Sequence, residues 1–101
     1  MDYYQEQALK IADFVKRVGL YELSLCDGCV CGGFEVKGIN VDIACGKGRD
    51  RAVWVYPAHN GDFDQSGDER LRPIADEVAR QMAEINDRGP VRIFLHEWTK
   101  S

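Results

Sequence analysis

Cys26, Cys29 and Cys31 stand within six residues and straddle the pair Asp27-Gly28. Thiolates at such spacing are the usual ligands of zinc, which takes four of them in a tetrahedron. Cys45 is the fourth cysteine and the candidate fourth ligand. Asp-Gly between apolar runs is a strong signal for a two-residue hairpin, because both central residues of a type I′ turn need positive φ. That turn sets Cys26 opposite Cys29 and puts Cys31 on the same side as Cys29. The register of the following strands sends these three thiols to one sheet face and Cys45 to the other. A closed Cys₄ site over Cys26, Cys29, Cys31 and Cys45 would therefore need a bulge at Gly32-Gly33. No metal is expected, and zinc is the ion these residues would take if that bulge were present. A redox pair of Cys26 and Cys29 lacks the helix N-terminus that lowers a thiol pKa.

Other constellations are weaker. Asp62, Asp64, Ser66 and Gly67 match the opening of a calcium loop, but Pro73 stands where the bidentate Glu belongs. Lys47-Gly48-Arg49-Asp50-Arg51 is too short for a phosphate-cradling loop. His59 and His96 are far apart in sequence, and no nucleophile-base set can be assembled around either.

Aromatic side chains form the remaining pattern. In the segment 91–98, Val91, Ile93 and Leu95 alternate with Arg92, Phe94, His96 and Trp98. In 52–56, Val53 and Val55 alternate with Trp54 and Tyr56. If the aliphatic phase faces a core, Trp54, Tyr56, Arg92, Phe94, His96 and Trp98 share the opposite face. Aromatics and Arg are the residues enriched where proteins bind one another.

These residues need a scaffold, and periodicity supplies one. Residues 3–18 carry Tyr4, Ala8, Ile11, Ala12, Val15 and Val18 at helical spacing, with Asp2 to cap and Gly19 to stop. A second helix is expected over about 70–87, with Leu71, Ile74, Ala75, Val78, Met82 and Ile85 as its stripe and Ser66 or Asp68 as its cap. Strands are expected at Leu20–Cys26, Cys29–Lys37, Ile39–Cys45, Ala52–Tyr56 and Val91–Trp98. If Asp27-Gly28 and Lys37-Gly38 are both two-residue turns, Leu25/Val30, Tyr21/Phe34, Val36/Ile39, Phe34/Val41, Gly32/Ile43 and Val30/Cys45 pair on one apolar face. Leu25, Val30, Phe34, Val41, Ile43, Ile74, Val78 and Met82 are then core residues, while Leu20, Glu22 and Ser24 fall on the other face. The expected fold is α+β: a two-layer sandwich, order αββββαβ, with a mainly antiparallel sheet of about five strands and two helices on one face.

The chain has 101 residues, enough for one domain, and is 45% hydrophobic. Its net charge of −4 argues against direct binding of nucleic acid. No apolar run suits a membrane helix and no leader pattern is seen, so a cytoplasmic protein that does not engage membrane is expected. The expected function is non-enzymatic: an acidic inhibitor or regulator that binds a protein partner. That partner would suit the acids of the 62–69 loop, Asp62 and Asp64 above all, if it were a basic nucleic-acid-binding protein. Anti-CRISPR and immunity proteins are like this chain in size and charge only. The alternatives are a zinc-stabilised binding module and a small cysteine-dependent enzyme.

Overall fold

The first helix forms where the sequence caps it. The Asp2 side chain accepts from the Gln5 backbone N–H at 2.9 Å, and the Gln5 side-chain oxygen accepts from the Asp2 backbone N–H at 3.1 Å, a capping box. Helix α1 runs Tyr3–Val18 and ends at Gly19, whose φ of 90° a side chain would resist. In the computed structural model the described residues are 2–26, 29–30, 32–45, 51–58, 68–85 and 90–96. Only the backbone is described for Tyr21, Ser24, Leu25, Cys26, Cys29, Val30, Cys45 and Ile85.

The elements after α1 are α2 Leu20–Ser24, β1 Leu25–Cys26, β2 Cys29–Val30, β3 Gly32–Val36, β4 Ile39–Cys45 and β5 Arg51–Pro57. A single 3-10 turn, Glu69–Leu71, leads into α3 Arg72–Ile85, and β6 is Val91–Phe94. Asp68 caps that turn by accepting from the Arg70 amide at 3.1 Å. The fold is α+β, with a four-stranded sheet in the order β3-β4-β5-β6 and a separate β1-β2 pair. Strands β3, β4 and β5 pair antiparallel, and β6 joins β5 in parallel. Among the described residues the sheet is thus mixed and has four strands rather than about five, with two of its three pairings antiparallel. The parallel pair follows from connectivity: α3 carries the chain from the end of β5 back to its start.

The expected register holds for the pairs on either side of Asp27-Gly28, which themselves lie outside the described residues, and for the β3–β4 ladder. Leu25 opposes Val30, and Gly32, Phe34 and Val36 oppose Ile43, Val41 and Ile39. Lys37 and Gly38 have φ of 51° and 79°, the two positive values of a type I′ turn. Three expectations fail nearby. Leu20–Ser24 is helical rather than extended, so Tyr21 does not pair with Phe34. Leu20 is 1% exposed in the core, not on the open face. Cys29–Lys37 is two strands, because Gly32 takes φ of 89° and breaks the run; the ladder ends at Gly32/Ile43 without a Val30/Cys45 pair.

The core lies between the helices and one sheet face. Ala8, Ile11 and Val15 of α1 and Ile74, Ala75, Val78 and Met82 of α3 join Ile39, Val41, Ile43, Val53 and Val55. Phe34 is only half-buried at its margin, since β3 is an edge strand, and Val18 is exposed. The core placement of Leu25 and Val30 lies outside the described side chains.

Two polar residues fasten this core. Gln81 of α3 is buried; its Oε1 accepts from the Leu20 amide at 2.8 Å and its Nε2 donates to the Val15 carbonyl at 3.0 Å. It thereby ties the α1–α2 corner to α3. Arg51 is 4% exposed, and its Nη1 donates to the Met82 carbonyl at 3.0 Å. Met82 is among the last four residues of α3, whose carbonyls have no intrahelical partner, so the cation meets the negative end of the helix.

Candidate functional site

Alternation along β4, β5 and β6 sends one set of side chains to the helices and the other to the opposite face. Ile39, Val41, Ile43, Val53 and Val55 take the first set, all 5% exposed or less. Asn40, Asp42, Trp54, Tyr56, Arg92 and Phe94 are therefore on the second. Strand pairing arranges them in rows. Gly33, Asp42, Trp54 and Phe94 form one row across four strands. Glu35, Asn40 and Tyr56 form the next, and Ala44, Ala52 and Arg92 another.

The parallel β5–β6 pair decides the chemistry of this face. It sets Trp54 beside Phe94, and their rings stack with centroids 5.4 Å apart at 14°. His96 continues the series, its ring 5.5 Å from that of Phe94 at 60°. The Arg92 guanidinium lies 5.8 Å from the centre of the Phe94 ring, within cation–π range. Trp54, Phe94 and His96 are half-buried and Arg92 is exposed.

Tyr56 behaves differently. It is buried, and its hydroxyl donates to Asp42 Oδ2 at 2.5 Å. Asp42 in turn lies over Gly33, where an added Cβ would fall 2.8 Å from Asp42 Oδ1 and 2.7 Å from the Val41 carbonyl oxygen. Gly33 is thus what lets the carboxylate sit low against the sheet. The result is a carboxylate anchored by the Tyr56 hydroxyl and set directly opposite Trp54 of the stacked aromatic pair.

The structure brings Trp54, Tyr56, Arg92, Phe94 and His96 together on the face that the strand phase predicts. Trp98, Asp62 and Asp64 lie outside the described residues, as does the calcium-like loop. Asp42 is the addition, a residue that the aromatic pattern of the two strands does not contain. Its signal was cross-strand: it opposes Trp54 directly once the β4–β5 register is known.

The thiol cluster can be located only in part. Cys26 and Cys29 are Cα partners across β1–β2 and Cys45 ends β4, opposite Arg51. Their side chains and Cys31 lie outside the described residues, and so does the choice of face for each thiol. Among the described residues no three His, Cys, Asp or Glu are grouped to hold a metal ion, and no helix is long and apolar enough to cross a membrane. No protein-family model, curated protein or solved structure matches the chain.

Proposed function

We propose that this protein is a non-enzymatic binding module that engages a protein partner through the sheet face bearing Trp54, Phe94, Arg92 and His96. The carrying observation is the half-exposed Trp54–Phe94 stack on the face opposite α1 and α3. Flat rings already held by their neighbours lose little freedom when a partner covers them, which is why such residues anchor interfaces. Asp42 and Glu35 with Arg92 give the surface charges of both signs, suited to orienting a partner more than to holding it. Tyr56 supports Asp42 from beneath. The net charge of −4 favours a basic partner, a nucleic-acid-binding protein being one such class, over direct contact with nucleic acid. A cytoplasmic setting is part of this reading.

The test compares capture from a lysate of the native host by wild type, Phe94→Ala, Arg92→Glu and a control, Leu9→Ser, at an exposed α1 position. A protein retained by wild type and the control, and depleted at least about tenfold by Phe94→Ala, is expected for loss of an aromatic anchor. Circular dichroism must show Phe94→Ala folded. Equal recovery by all four chains overturns the reading.

A further inference from the structure

A second surface, separate from the aromatic face, lies at the outer edge of β3. A cavity of about 390 Å³ opens between α1 and this edge, lined by Ile11, Phe14 and Val36 with Lys10, Arg17 and Lys37, and by Asp13. Three cations and one carboxylate thus surround an apolar floor, in a chain whose net charge is −4. Lys10 pairs with Glu6 at 3.1 Å and Arg17 with Asp13 at 3.1 Å. Both pairs are more than half exposed, and such pairs exchange partners at little cost.

The edge also offers backbone. Because Val36 and Ile39 flank a two-residue turn, they exchange hydrogen bonds, and bonding alternates from there along the ladder. Val36, Phe34 and Gly32 therefore bond to β4, while the N–H and C=O groups of Gly33 and Glu35 point outward. No strand among the described residues pairs with that side of β3.

We propose that this groove takes an extended acidic segment of a partner protein, which adds to β3 as a further strand. Main-chain bonds to Gly33 and Glu35 supply the pairing, and side chains on the helix side reach Phe14 and Val36. Acidic side chains on that same side meet Lys10, Arg17 and Lys37. On the other face Glu35 opposes an acid, so acids belong at alternate positions only. A second copy fits less well, because the helix-side residues of a β3 edge are Gly32, Phe34 and Val36, with no acid to meet Lys10, Arg17 and Lys37.

The test titrates the isotope-labelled full chain with a short acetylated peptide in which Glu, Val, Val and Glu alternate with Thr. Lysine-for-glutamate and backbone N-methylated versions serve as comparators. The amide resonances of Gly33 and Glu35 should shift and exchange more slowly, with the acidic peptide favoured at least tenfold over the lysine one at low salt and less at high salt. Lys37→Asn keeps a residue that tolerates the turn and should weaken binding about two- to fivefold, the worth of an exposed ion pair. Equal affinity for the acidic, lysine and N-methylated peptides overturns the proposal. So do shifts confined to other residues, or Gly33 and Glu35 shifts that follow protein concentration without peptide, which would assign the edge to a second copy.

Discussion

Replacing Gln81 by Met keeps the length of the side chain and removes every polar atom that ties the α1–α2 corner to α3. The Leu20 amide then loses its acceptor while Leu20 itself stays 1% exposed. A buried donor left unsatisfied costs about 1–3 kcal/mol. The Val15 carbonyl loses less, because the Gly19 amide still donates to it at 2.8 Å, so a further cost of about 0.5–1 kcal/mol applies there. Glu77 loses the Gln81 donor but keeps Arg80. The total of about 1.5–4 kcal/mol is a large part of the 5–15 kcal/mol typical of a domain. Urea unfolding should show a lower midpoint at unchanged slope, and the melting temperature should fall by about 10–25 °C. Gln81→Glu makes the argument sharper. It restores an acceptor for Leu20 but sets a carboxylate against the Val15 carbonyl and Glu77, so its own pKa rises and its deficit at neutral pH exceeds that of the Met variant. Protonation restores a donor, and the deficit should shrink as the pH falls below about 5. A Met variant within 0.5 kcal/mol of wild type, or a Glu variant with a pH-independent deficit, refutes the reasoning.

Three further outcomes are expected. Gly33→Ala places a Cβ 2.7 Å from the Val41 carbonyl, a backbone atom that cannot swing away, and should cost about 1–3 kcal/mol in chemical unfolding. Tyr56→Phe removes the donor to Asp42 and should cost about 1–2 kcal/mol; full stability of this variant would show that the bond contributes nothing. The Asp68 carboxyl is held below its ordinary value of 3.8 by the Arg70 guanidinium, and Asp2 by the Gln5 amide and then Arg70. These carboxylates stabilise the fold above their unfolded pKa, and that contribution is lost as the pH falls through the depressed folded values. The stability gap between wild type and Arg70→Met, followed by thermal melts, should therefore hold near neutrality and close as the pH falls below 3.8.

How much was legible depends on the range of the interaction. Asp2, Gly19 and the Lys37-Gly38 turn act within a few residues, and each forms as the sequence predicts. The alternation of Ile39, Val41 and Ile43, and of Val53 and Val55, carries its own phase, so the aromatic side of β5 and β6 was readable without any tertiary knowledge. Leu20–Ser24 was not. Its strand pattern yields to a helical turn in which Leu20 fills the core and its amide is taken by Gln81, far along the chain. Arg51 closes the charged run Lys47-Gly48-Arg49-Asp50-Arg51 just before the expected strand, yet it shares the phase of Val53 and Val55 and is buried against the end of α3. A charged residue in a core phase carries no local sign of the carbonyl that will receive it. Phe34 was expected deep in the core, and only the strand order, which puts β3 at an edge, reveals that it is half-buried.

The stack of Trp54 on Phe94 has one ring from β5 and one from β6, and α3, which lies between them in the chain, packs on both strands. Arg51 and Gln81 hold α3 in its place. Were β6 to slip by one residue against β5, Phe94 would turn to the wrong side. The two faces of the sheet are therefore geared together. A mutation under the helices that loosens α3 should blunt the aromatic face without touching any residue on it.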